Sequence, residues 1–272
     1  MSFDYSDFGA AAAELLERVR VRSPLIHHIT NFVVMNDTAN ATLALGALPV
    51  MAHAKEEVAE MVGAAGALVL NPGTLEPDWV EAMLIAGRRA NELGIPIVYD
   101  PVGVGATAYR IETAKRFLRE LKISVVRGNS GEVGSLAGAG GLVKGVESVE
   151  GVADPVAVAR SFAGRIGATV AITGKRDILS DGAQVAGVDN GHEMMKLVTG
   201  TGCMSTTVVA VFCAVESDRL AAATAALTCY GIAGQEAARV SRGPGSFRAA
   251  LLDALYALTP KQVEAAAKVA RL

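Results

Sequence analysis

Residues 67–100 read ALVLNPGTLEPDWVEAMLIAGRRANELGIPIVYD. Ala67–Leu70 and Ile95–Tyr99 are continuous apolar runs without alternation, the pattern of strands covered on both faces. Between them Asp78–Leu93 has helical spacing: Val80, Met83, Leu84 and Ala90 share one face, Arg88 and Arg89 lie outside it, and Gly94 is the stop. A strand, a helix and a second buried strand make a unit whose strands run parallel.

The same rhythm extends in both directions. Leu25–Ile29, Pro49–Met51, Ser124–Val126 and Thr169–Ile172 are further buried-strand candidates, and Glu14–Val21 is amphipathic through Leu15, Leu16 and Val19. Beyond residue 172 it changes. Asp177–Ser180 and Gln184–Val188 flank Ser180-Asp181-Gly182-Ala183, which reads as an antiparallel hairpin at a sheet edge. Alanine-rich helical stretches follow at Gly202–Glu216, Leu220–Val240, Pro244–Leu258 and Pro260–Ala270. Gly138-Ala139-Gly140-Gly141 is too short to separate domains. The reading is one α/β domain over 1–272, a mainly parallel central sheet with helices on both faces and an antiparallel edge hairpin.

Composition excludes several classes. The 272 residues are 51% hydrophobic and 19% charged, so the chain can offset its ordering entropy and is not disordered. A net charge of −3 supplies no basic field for nucleic acid or an anionic membrane. The mean hydropathy of +0.35 raises the question of a membrane span. The longest charge-free stretch near spanning length, Leu197–Val215, is broken by Thr199-Gly200-Thr201-Gly202 and Ser205-Thr206-Thr207. Met1-Ser2-Phe3-Asp4-Tyr5 lacks the layout of a secretory signal, and Cys203, Cys213 and Cys229 have no C-x-x-C spacing. These features point to a soluble protein of a reducing compartment, the cytoplasm.

In an open α/β sheet, ligands sit beyond the carboxyl ends of the strands. Polar or glycine-rich sequence follows several of them: Met51-Ala52-His53, Asp100-Pro101-Val102-Gly103-Val104-Gly105-Ala106-Thr107, Arg127-Gly128-Asn129-Ser130-Gly131-Glu132 and Thr173-Gly174-Lys175. Thr199-Gly200-Thr201-Gly202-Cys203 opens a helix. Gly200 and Gly202 there would let free N–H groups converge on a developing anion, unless the segment is a plain tight turn. Asp100 and Glu132 could hold Mg²⁺ shared with substrate phosphates, or serve as a turn residue and a helix-dipole partner. Gly174-Lys175 lacks the upstream glycine and following Ser or Thr of a Walker loop. Gly103-Val104-Gly105-Ala106-Thr107-Ala108 matches a dinucleotide fingerprint, but after the wrong strand. His27 and His28 lie within a strand, one ring to each side, which favours packing; His53 is open to a pocket or a loop role.

Taken with Ile29-Thr30-Asn31-Phe32-Val33-Val34-Met35-Asn36, Ala39-Asn40 and Pro49-Val50-Met51-Ala52-His53, these segments resemble the hydroxyethylthiazole kinases of the ribokinase-like superfamily over about residues 20–240. The resemblance implies a three-layer sandwich and transfer of phosphate from ATP, with Mg²⁺, to 4-methyl-5-(2-hydroxyethyl)thiazole in thiamine salvage. It matches Met51 and Gly200 to thiazole contacts, Arg127 and Thr173 to ATP contacts, and Asp100 and Glu132 to metal and phosphate carboxylates. The resemblance further implies Asn31 as a substrate contact. It also implies a homotrimer with the thiazole site between subunits. Cys203 stands where most of the superfamily has an aspartate base. A thiolate is too weak to deprotonate an alcohol before attack, so Cys203 is expected to orient the hydroxyl and accept its proton late. Two readings compete: a hydroxymethylpyrimidine or phosphomethylpyrimidine kinase of the same superfamily, and a non-catalytic ligand-binding protein on the same fold. An apolar lining around Met51 suits a small heteroaromatic better than a sugar.

Overall fold

Ala67–Leu70 and Ile97–Tyr99 pair in parallel across a helix spanning Pro77–Leu93, as the alternation of residues 67–100 requires. Pro77 opens that helix, the Glu76 carboxylate accepts from Trp79 N–H at its first turn, and left-handed Gly94 ends it. The computed structural model describes residues 8–138, 142–144, 147–150 and 152–272. Met1–Tyr5 and residues 139–141 of the glycine cluster lie outside them, while Gly138 caps a helix.

In chain order the elements begin with α1 (Phe8–Arg22), β1 (Leu25–Ile29), α2 (Met35–Ala44), β2 (Leu48–Val50), α3 (Val58–Gly63), β3 (Ala67–Leu70), α4 (Pro77–Leu93) and β4 (Ile97–Tyr99). Next come α5 (Ala108–Glu120), β5 (Val125–Asn129), α6 (Ser130–Ala137), β6 (Leu142–Lys144), β7 (Glu147–Glu150), α7 (Pro155–Ile166) and β8 (Thr169–Thr173). The chain closes with β9 (Asp177–Ser180), β10 (Val185–Val188), a 3-10 turn (Glu193–Leu197), α8 (Thr201–Cys213), α9 (Arg219–Val240), α10 (Pro244–Ala257), α11 (Pro260–Ala266) and β11 (Val269–Arg271).

The main sheet is 9-stranded, in the order β11-β10-β9-β8-β5-β4-β3-β1-β2. From β8 to β2 all pairings are parallel; β9, β10 and β11 extend it antiparallel. Successive strand residues enter opposite cores, since side chains alternate across a sheet. Val69, Val98, Val125 and Ala171 pack with α1, α2, α8, α9 and α10; Leu68, Leu70, Tyr99, Val126 and Ile172 pack with α3, α4, α5 and α7. Two helical layers thus enclose one sheet. α8 is apolar nearly all round and buried, which places its N-terminus at the carboxyl ends of the central strands. None of the described helices is long and apolar enough to cross a membrane.

Two sequence readings are corrected. The hairpin β9–β10 is not the edge, because β11 pairs outside it. The helix expected over Pro260–Ala270 stops at Ala266, where the Asn190 side chain donates to Ala266 O (2.9 Å) and accepts from Lys268 N–H (2.8 Å). A side chain that satisfies the terminal carbonyl from outside ends a helix as a cap does, and the residues beyond it join the sheet.

Candidate active site

The carboxyl ends of β1, β3, β4, β5 and β8 meet the front of α8. Gly200 caps α8 at φ +93°, and the first helical bond runs from Met204 N–H to Gly200 O (2.8 Å). The helix therefore supplies no partner for Gly202 and Cys203 N–H, which sit where the helix dipole is positive. The turn is held from several sides. Thr201 Oγ1 donates to Met195 O (2.6 Å), Tyr230 Oη donates to Thr201 O (2.8 Å), and a Cβ on Gly200 would meet Val34 Cγ1 at 3.0 Å.

Asp100 follows β4 directly and is 1% exposed. Its Oδ2 accepts from Thr206 Oγ1 on α8 (2.8 Å) and from Asn71 Nδ2 at the end of β3 (3.1 Å), and Arg127 Nη1 stands 3.8 Å away. Its Oδ1 has no hydrogen-bond partner among the described residues. Burial pushes the Asp100 carboxyl above its ordinary range, against the pull of Arg127 and the Thr206 bond. Asn71 Oδ1 in turn accepts from Asn31 Nδ2 (2.9 Å), which also lies 3.7 Å from Cys203 Sγ. A continuous polar chain thus joins Cys203, Asn31, Asn71 and Asp100.

Cys203 is a neutral thiol. Burial and the Asp100 charge push it up to about 12, against any lowering by the helix terminus. It can orient a hydroxyl or donate to Asp100, since burial favours the protonated form. Arg127, on β5, lies over α8: a Cβ on Gly202 would meet Arg127 Nη1 at 3.0 Å. Its Nη2 donates to Thr173 Oγ1, which bonds Gly128 O, so the two residues matched to ATP contacts are tied together.

Glu132 takes a different position from Asp100. Its Oε1 accepts from Gly103 N–H (2.8 Å) and its Oε2 from Asn129 N–H (2.8 Å), closing a capping box at the start of α6. It thereby pins the loop after β4 to the loop after β5. Burial first, and the neighbouring Asp100 charge second, raise it to about 7. Two buried carboxylates that each disfavour ionisation, one with an unpartnered oxygen, fit a cation that keeps most of its waters. Among the described residues no group of three or more His, Cys, Asp or Glu is gathered that could hold a metal ion.

Met51 stands apart at the sheet edge, half-buried just past β2. The histidines face opposite cores as their strand position requires: His27 Nε2 donates to Ala52 O (2.6 Å), and His28 Nε2 bonds Thr42 Oγ1 (3.3 Å). Burial lowers both, His28 to about 3, so both rings are neutral structural donors. Sequence reasoning missed Asn71, although it ends a strand as Asp100 does. It also missed Thr206, one helical turn beyond Cys203.

A mainly parallel three-layer sheet, an anion-ready helix start at its carboxyl edge and a buried carboxylate beside it define a ribokinase-like kinase. The comparisons agree and narrow the class. The hydroxyethylthiazole kinase family model matches residues 16–261, and the chain belongs to that family. It is 63% identical over 260 residues to a hydroxyethylthiazole kinase of Desulforudis audaxviator, covering 96% of this chain and 95% of that one. A solved hydroxyethylthiazole kinase from Pyrococcus horikoshii OT3 superposes with a TM-score of 0.89 at 45% identity, covering 96% and 98%. A ribokinase-like superfamily protein from Enterococcus faecalis V583, 14% identical, shares the fold with a TM-score of 0.63 over 89% and 93% of the two chains.

Proposed function

We propose that this chain transfers the γ-phosphoryl group of ATP to the hydroxyl of 4-methyl-5-(2-hydroxyethyl)thiazole, a salvage step toward thiamine in the cytoplasm. The observation that carries this reading is membership of the hydroxyethylthiazole kinase family across residues 16–261. The site geometry supports a division of labour. Gly202 and Cys203 N–H stabilise charge on the migrating phosphoryl group, and Gly200 sets the turn that aims them. Arg127 and Thr173 hold the nucleotide phosphates. Asp100 would hold Mg²⁺, with Glu132 bracing the loop beside it; the ion would supply charge neutralisation for the phosphates. Cys203 and Asn31 orient the acceptor hydroxyl, and Met51 lines its ring. A loose phosphoryl-transfer transition state needs little early base help, so a neutral thiol is compatible with turnover. ADP release is expected with the thiazole alcohol and Mg²⁺, well above that with hydroxymethylpyrimidine. A clear pyrimidine preference overturns the substrate assignment.

The chain assembles as a homotrimer with the thiazole site between neighbours. Support comes from β2, a sheet-edge strand, and from Val33 (67% exposed), Leu43 (53%) and Leu48 (49%) beside it, an apolar edge next to Met51. Light scattering should give three times the mass of the 28.0 kDa chain. Leu43→Glu should split the assembly and remove most of the activity; a monomer of full activity would overturn the shared site.

A further inference from the structure

Three aromatic rings meet beside the acceptor side of the site. Trp79 has Phe32 and His53 each with ring centroids 4.5 Å from its own, tilted by 43° and 54°. Each ring comes from a different element. Phe32 is the middle residue of a turn closed by Val33 N–H on Asn31 Oδ1 (3.0 Å). His53 follows Met51 and donates from Nδ1 to Met51 O (3.0 Å). Trp79 is fixed in the first turn of α4 by its own N–H on Glu76 Oε2 (3.0 Å) and is 8% exposed. The stack thus links the Asn31 turn to the Met51 strand end, which no strand ladder does, since the β1–β2 register ends at His27↔Val50. His27, through Ala52 O, offers a second brace.

We propose that Phe32, Trp79 and His53 form a positioning clamp for the acceptor: they set the spacing between Asn31 and Met51 and so the affinity for a small planar heteroaromatic alcohol. The residues matched to ATP contacts, Arg127 on β5 and Thr173 on β8, stand on other elements. This inference rests on the acceptor assignment of Asn31 and Met51 made above. The clamp acts through those residues and touches no reacting atom. Tilted rings at this separation interact favourably beyond their buried area, and the clamp spends that interaction on holding two loops that would otherwise move separately.

Trp79 is the only tryptophan of the chain, so its emission reports the clamp directly. Titrating the thiazole alcohol without ATP should change that emission, with half-saturation near the alcohol KM, whereas ATP alone should leave it unchanged. Trp79→Ala should raise the alcohol KM roughly five- to tenfold, with kcat and the ATP KM within about twofold, and Trp79→Phe should restore the parent value. If Trp79→Ala does not fold, Phe32→Ala and His53→Ala carry the test, each removing one ring contact and raising the alcohol KM about threefold. A silent Trp79 at saturating alcohol, an unchanged alcohol KM, or a parallel loss on the ATP side overturns the clamp. Turnover with a silent tryptophan and unaltered KM removes the clamp alone. An emission change without ADP release removes the activity and leaves the clamp standing.

Discussion

Asp100→Asn should lower kcat about a thousandfold while the protein stays folded and melts no lower than the parent at neutral pH. The two effects have one cause. Asp100 is buried, and burial holds its carboxyl above the ordinary aspartate value of 3.8 despite Arg127 nearby. A folded-state pKa above the unfolded one means that the native protein holds this proton more tightly. Its contribution to stability is therefore present at acid pH and is lost as pH climbs from the ordinary value through the raised one. Asparagine removes the titration without removing the shape. Its amide oxygen can take the place of Oδ2 and accept from Thr206 and Asn71, and its amino group falls where Oδ1 has no partner among the described residues. Melting curves without Mg²⁺ from about pH 4 to about pH 8 should show the variant gaining on the parent as pH rises. On the proposed role, activity falls because the charge that burial disfavours is the one that would hold the metal beside the phosphates. A variant melting several degrees below the parent at pH 8, or turning over within about tenfold of it, would remove Asp100 from this role.

The features legible in the sequence were the local ones. Buried strands announce themselves as unbroken apolar runs, and Asp100, Arg127 and Thr173 follow from asking what stands at their carboxyl ends. Helix α2 shows the limit of periodicity. Its buried face is Asp37, Thr38, Ala41 and Thr42, so no apolar stripe marks it. Helix α5 is similar, with only Thr113, Ala114 and Phe117 buried amid charged residues. Asn71 precedes a proline and reads as a turn residue, yet it is the link between Asp100 and Asn31. Thr206 reaches Asp100 across a sequence separation of 106 residues, a pairing that no local pattern encodes. Glu132 shows the reverse: its position was found, but only the two backbone amides on its oxygens reveal that it braces loops as well as carrying charge.

Gly200→Ala should lower kcat/KM about a hundredfold and cost roughly 1–3 kcal/mol of stability. At φ +93° any Cβ is strained, and here it would also meet Val34 Cγ1 at 3.0 Å. Val34 cannot yield easily: it is 2% exposed and β-branched, with one preferred rotamer. The turn cannot slide as a unit either. Thr201 is tied through its hydroxyl to Met195 O and through its carbonyl to Tyr230 Oη. Relief must come from rotating the peptide units around residue 200, which re-aims the Gly202 and Cys203 N–H groups. Gly202→Ala is the informative contrast. Gly202 lies inside α8 without a left-handed φ, and its Cβ would meet only the guanidinium of Arg127, at 3.0 Å from Nη1. That variant should lose about tenfold, mainly as a higher ATP KM, because the guanidinium shifts and the amides do not. Steady-state kinetics and melting curves on the pair decide the matter. If Gly200→Ala loses stability but keeps kcat/KM, or if the two variants fail alike in KM alone, the amides at the front of α8 do not stabilise the migrating phosphoryl group.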